Sequence, residues 1–221
     1  VGGEFKSFEY MNSDAKEASF VGADLTGSTF KGVGLAKTDF SNANLFESDL
    51  SGINLADAIL KNVNFENAKL TGTSFLKAKL MGSTLKGADL TNANLKDADL
   101  TNADLTGATL DNITLVNAIL VGAQLPGADL QKAVLKETKW SGANLKDVNL
   151  SGADLSGATL NGADLTNVNF EGTDFSASDL SNTGLELKDL KNAITDDKTI
   201  TSETGFFFFR ELIAFFESLF K

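Results

Sequence analysis

Carboxylates are the side chains here most able to do chemistry. Asp and Glu number 30 against 19 Lys and Arg, for a net charge of −11 over 221 residues. Acids held in pairs can act as general acid and base, and an unbroken acidic face can imitate the charge of a nucleic acid. Thirteen aspartates occupy one kind of place, immediately before the residue at every fifth position, which is large and apolar in all but one case: Asp14, Asp24, Asp39, Asp49, Asp89, Asp99, Asp104, Asp129, Asp154, Asp164, Asp174, Asp179 and Asp189. Asn recurs at the same place, and both side chains bond backbone amides at turns. The spacing therefore favours a structural role for these acids, with a recognition surface as the alternative.

Other chemistry is excluded by composition. There is no Cys and no His, which removes disulfides, thiolate nucleophiles and imidazole relays. No phosphate-binding loop, dinucleotide-binding glycine motif or GxSxG nucleophile turn occurs. The expectation is a protein that is not an enzyme, with no catalytic, cofactor-binding or metal-binding residues. Direct nucleic-acid binding is also disfavoured, because it needs clustered cations and Arg210 is the sole arginine.

What positions these residues is a repeat. From Phe5 to Leu190 every fifth residue is Phe, Tyr, Trp or Leu, with Ala15 the one exception. A period of five fits neither a helix nor a strand, so each unit must contain a turn. Two places before each large residue, from Ser13 to Thr183, stands Ala, Ser, Thr, Val or Ile. In extended backbone the two face the same way, so both point inward. Two places after the large residue Gly and Asn predominate, as a type II turn requires at its third position, and Leu125-Pro126-Gly127-Ala128 sets Pro at the second. Turns therefore begin at each large residue.

Units such as Ala23-Asp24-Leu25-Thr26-Gly27 and Ala103-Asp104-Leu105-Thr106-Gly107 resemble the pentapeptide repeat family, over roughly 85% of the chain. The resemblance implies an all-β fold, a right-handed quadrilateral β-helix (a solenoid) with four pentapeptides per coil. About nine coils would then make a rod on the order of 45 Å long, occupying residues 1–190. Residues 20 apart would stack, putting Phe20, Phe40, Leu60, Leu80, Leu100, Leu120, Trp140, Leu160 and Leu180 in one inner column.

After Leu190 the register breaks, and residues 191–205 read as a polar linker or irregular closing segment. Residues 206–221 read as a short, Phe-rich C-terminal α-helix whose polar stripe is narrow. Its apolar side chains, Phe206, Phe207, Phe208, Phe209, Leu212, Ile213, Phe215, Phe216, Leu219 and Phe220, form a candidate docking element. Three destinations are open: a cap on the last coil, a homodimer contact with a second copy, or a membrane surface or membrane protein complex. The stretch is too short for a transmembrane span.

Ile59, Leu76, Met81, Val116, Ile119 and Val121 fall at nominally outward positions near one corner and form a candidate surface patch. Residues 61–140 are nearly neutral, with nine bases and eight acids, whereas 1–60 and 141–190 are acidic. The leading expectation is a non-enzymatic structural or interaction module with a protein partner. It would serve as an accessory subunit or spacer docked to a membrane-associated complex through the C-terminal helix. The resemblance implies likeness to cyanobacterial and plastid members, and a thylakoid-lumen or membrane-associated location, with cytoplasm as the alternative. The alternative function is a DNA mimic that binds gyrase, as in the quinolone-resistance branch. That role wants a continuous acidic face, which the columns at 20-residue spacing do not supply.

Overall fold

The structure, a computed structural model, describes residues 9–11 and 14–201. Strand β1 (Glu9–Met11) pairs in parallel with β2 (Thr29–Lys31), with Glu9 opposite Thr29 and Met11 opposite Lys31. Single parallel bridges carry the same offset of twenty onward, from Asp14 with Gly34 to Asp174 with Ile194. Four five-residue units thus complete one circuit. The chain is a β-helix solenoid, as the repeat and its resemblance predict.

Each unit is closed by its own backbone. In the unit that starts at Leu100, Ala103 N–H donates to the Leu100 carbonyl at 2.9 Å, closing the turn. Leu100 N–H reaches the Ile119 carbonyl of the next coil at 2.7 Å, and Asn102 N–H reaches that of Val121 at 2.9 Å. Asp99 N–H bonds back to Ala78 of the coil before at 2.9 Å. Amides of the inward residues are paired in this way along most of the rod without a long strand or helix, which meets the demand that buried backbone polar groups be paired. At every fifth residue from Glu17 to Asn182 φ is positive, at the third position of the turn.

The interior is filled by two kinds of column. Leu25 through Leu165 and Phe175 and Leu180 are buried at the large positions, and the small residues two places earlier fill the space beside them. Aromatic rings stack along the axis where they meet, as Phe20 and Phe40 do one coil apart, with centroids 4.7 Å apart and planes at 9°. Hydroxyls are tolerated at the small positions because they donate to a backbone carbonyl, three residues back for Thr38 to Leu35 and Ser83 to Leu80, and in the coil before for Thr73 to Leu50 and Thr173 to Leu150. The Trp140 indole N–H donates to Thr138 Oγ1 at 2.6 Å, so the largest buried side chain leaves no polar atom unmet.

The ladder departs from uniformity twice. On one side no bridge joins Thr109 to Asp129, and Leu110 N–H makes no ladder bond among the described residues. Ala108, beside this gap, is 7% exposed where Ala98, Ala103 and Ala118 are sealed. Pro126 stands at the adjoining corner and lacks the amide that Thr106 donates to Asp104 at the same corner one coil earlier. The second departure is near the end: bridges from 164 to 184 and from 169 to 189 are absent, and Leu187–Leu190 turns into a 3-10 helix. Lys188 falls at a small inward position and cannot leave its ammonium in an apolar interior, so the chain turns it out to solvent. Beyond that helix the chain returns to the rod. Ile194 bridges Asp174, Ile200 bridges Asp179 at an offset one residue longer, and the buried Thr199 hydroxyl bonds the Phe175 carbonyl at 3.0 Å.

Two substitutions test the interior and the turns. Leu100→Asp buries an unpaired carboxylate and should cost more than about 4 kcal/mol in a denaturant or thermal melt. Ala177, with φ of 56°, carries a side chain where glycine is favoured, so Ala177→Gly should raise stability by up to about 1 kcal/mol.

Candidate interaction surface

The corner and side of each coil that precede the Phe40 to Leu180 column form one continuous wall of the rod. Its outward residues fall at fixed places in each coil, such as Lys96, Asp97, Asp99, Thr101 and Asn102 in one circuit. Bridges order the middle of the wall as Asp39, Ile59, Lys79, Asp99, Ile119 and Lys139. Leu76 and Val116 stand on its leading corner with Lys96 between them, and Met81 and Val121 on its trailing corner with Thr101 between them. All six apolar residues singled out from the sequence are half-buried. They share this wall but are interleaved with Lys and Asp rather than merged into one patch. Val134 is an apolar residue that sequence reasoning missed. At 39% exposed, it bridges Thr114 just around the corner from Val116.

Charge on this wall differs from the rest of the rod. From Lys16 to Asn182 its outward places hold eight lysines and seven carboxylates, in a protein with an excess of acid. Lys61, Lys77, Lys79, Lys96 and Lys139 make no ion pair among the described residues, whereas Lys86 pairs with Asp104 at 3.1 Å on another wall. Lys136, at the leading corner, reaches Asp154 at 3.0 Å.

The carboxylates themselves are engaged locally. Asp99 accepts the Thr101 amide at 3.0 Å and its hydroxyl at 2.6 Å, and the same pair of bonds recurs at Asp104 with Thr106 and at Asp164 with Thr166. Neighbouring coils add Asn ladders: Asn64 Nδ2 donates to Asn44 Oδ1 at 2.9 Å, and Asn117 Nδ2 to Asp97 Oδ1 at 2.9 Å. The Thr91 hydroxyl holds the Asp89 carboxyl below its usual range, against a smaller burial effect, with help from the Thr91 amide and Thr71. At Asp49, Asp104 and Asp154 burial pushes upward, yet hydrogen bonds to Ser51, Thr106 and Ser156, with lysines nearby, leave each carboxyl lowered. These acids cap turns, and no group of three or more ligating side chains among the described residues is placed to hold a metal ion. The docking element read at Phe206, Phe207, Phe208, Phe209, Leu212, Ile213, Phe215, Phe216, Leu219 and Phe220 lies outside the described residues, and so does the helix expected there.

At the far end the splayed last coil leaves an open cleft of about 400 Å³ between Val168, Phe170 and Glu171 on one side and Lys188, Asp189 and Lys191 on the other. Its mouth is wide and its charged groups are of both signs.

Pentapeptide repeats match in eight overlapping copies that together run from residue 11 to residue 182. The crystal structure of HetL, a pentapeptide repeat protein involved in heterocyst differentiation regulation in the cyanobacterium Nostoc sp. strain PCC 7120, is similar at 34% identity. The match covers 89% of this chain and 91% of HetL, with a TM-score of 0.81. Trypsin-treated QnrB1, a plasmid-mediated fluoroquinolone resistance protein, shares 23% identity over 88% of this chain and 93% of its own, with a TM-score of 0.49. A pentapeptide repeat protein of the Arabidopsis thaliana thylakoid lumen shares 30% identity over 54% of this chain and 66% of its own, with a TM-score of 0.35. No curated protein matches the sequence.

A group whose folded pKa is lowered contributes stability above its unfolded value and loses it as pH falls through the folded one. Melting temperature should therefore hold from neutrality to about pH 5 and drop below about pH 4, the ordinary carboxylate range. Thr91→Val should shrink that drop by removing the hydroxyl that lowers Asp89; an equal drop in both proteins would show that these bonds do not set the acid limb.

Proposed function

The chain belongs to the pentapeptide repeat family, whose members are in general non-enzymatic structural modules, and from that premise we propose that it is a protein-interaction module. It acts as a rigid spacer or accessory subunit, docked to a membrane-associated complex through its apolar C-terminal segment. The observation that carries this reading is the division of labour in the rod. Inner positions are packed from Leu25 to Leu165, and the aspartates that precede them, such as Asp99 and Asp104, are occupied in holding turns. What remains for function is a stiff set of outward walls. The likeness to HetL, named for regulation of differentiation, is consistent with a protein that works through what it touches.

A DNA-mimic role stands second. Its support would be an acidic stripe, but bridged columns such as Asp24, Asn44, Asn64, Thr84 and Asp104 are mostly neutral. The wall described above is balanced in charge rather than acidic.

Two experiments decide between these. In an affinity pull-down from membranes, a chain with Phe208, Leu212, Phe215 and Leu219 changed to Ser should lose the partner that the unaltered chain retains, while melting with the same cooperativity. Equal retention counts against docking through this segment. In a supercoiling assay the protein at micromolar concentration should leave gyrase unaffected; inhibition would move the DNA mimic to first place.

A further inference from the structure

We propose that the carboxyl end of the rod is a seat for the chain's own Phe-rich segment, residues 206–220, so that docking on a partner requires the segment to leave the rod. The seat is argued from the end of the rod alone; the competition with a partner rests on the docking role proposed above.

Apolar surface is concentrated where the segment begins. Of the four large apolar residues that stand exposed among the described residues, Leu187, Ile194 and Ile200 lie in the last fifteen, and only Val134 lies elsewhere. Phe170 and Leu185 occupy the large inward places that are sealed from Leu25 to Leu165, yet both are only half-buried. The ladder fails here too. The amides of Leu165, Asn167 and Phe170, which a regular coil joins to carbonyls nineteen residues on, make no such bond among the described residues. Val168 and Phe170 line the cleft that this leaves open, and Glu171, Lys188, Asp189 and Lys191 stand at its lips. A repeat array needs a cap at such an end, because its last unit lacks a neighbour.

Part of the end is already covered. Thr201 stands over Leu180 in the register of the bridge from Asp179 to Ile200, and no further coil lies beyond it among the described residues. It is fully buried all the same, and Thr199 is 2% exposed. Residues 202–221 continue directly from this point.

Reach and tether choose the occupant. Ser202 to Gly205 can extend about 13 Å, whereas packed β layers lie about 10 Å apart. The segment can therefore cross the end from Thr201 to the cleft. It brings ten large apolar side chains between Phe206 and Phe220, and its charges at Arg210, Glu211 and Glu217 suit lips that carry both signs. Held by so short a tether, it meets the seat at an effective concentration on the order of millimolar. A free partner or a second copy at micromolar concentration does not match that, so the chain's own segment occupies the end first.

The test uses the full-length chain, which has no cysteine. Asn169→Cys at the cleft and Ala214→Cys in the segment should be joined within one chain by a short bismaleimide, at a rate independent of protein concentration. Asn182→Cys, exposed and closer in register to Thr201, should be joined to Ala214→Cys about tenfold more slowly, although a loose tail would favour it. Amide exchange gives an independent readout. The unladdered amides of Leu165 and Phe170 should exchange about tenfold or more faster when Phe208, Leu212, Phe215 and Leu219 are changed to Ser, while amides of the middle coils stay unchanged. Equal joining of the two cysteine pairs, exchange indifferent to the Ser changes, or a crosslink formed only between chains each overturns the seat. Competition is read in the pull-down above, where the crosslinked chain should retain several-fold less partner than the unlinked one. Equal retention overturns the competition. Capture by neither removes the docking role and the competition with it, and leaves crosslinking and exchange to decide the seat.

Discussion

The parallel hydrogen bond from one coil to the next, at an offset of twenty residues, is the constraint from which the rest of the molecule follows. It requires each circuit to close after four equal sides. Each side must then turn within five residues, and from Glu17 to Asn182 the chain does so with a positive φ at the third place of the turn. Gly and Asn meet that requirement cheaply at Gly22, Asn42 and Gly127, while Lys37, Lys77 and Glu137 accept it at a cost repaid by the bonds on either side. Once the circuit closes, the inward direction of Leu100 or Phe65 is no longer a choice of the side chain. It is imposed by the ladder.

The same constraint gives the carboxylates their work. An aspartate before a large residue sits where its Oδ1 reaches the amide two places on, so Asp39, Asp99 and Asp154 each hold the next corner. Their charge faces outward as a by-product. That is why the acidity of the chain is high and yet unevenly useful: it sits in columns set by turns, diluted by Asn ladders at Asn44 and Asn64. The wall with half-buried Ile59, Leu76 and Val116 is an exception in composition within a uniform backbone.

Much of this was legible before any coordinates. The inner columns, the start of each turn and the structural use of Asp could be read from a period of five, because a period is a property of many residues and survives local noise. Four sides per coil came from family resemblance alone, since neither Leu100 nor Ala103 says which residue lies above it; the bridges from Asp99 to Ile119 do. Local departures were less legible. The missing bridge at Thr109 has Pro126 at the adjoining corner but no mark at Thr109 itself, and the exposure of Val134 depends on its place around the corner from Val116. Lys188 was a visible misfit, but that the chain would answer with a 3-10 helix and then rejoin the rod at Ile194 follows from packing that no single position encodes.

The gap between Thr109 and Asp129 gives the middle of the rod a notch on one side. Repeat arrays draw their stability from contacts between neighbours, so a beam with one weakened joint bends or parts there first. The other sides keep their bridges at that level, from Asp99 to Ile119, Asp104 to Gln124 and Thr114 to Val134, so the weakening is confined to one side of the rod. Bending of the rod is therefore easiest toward or away from the side that carries the proline corner.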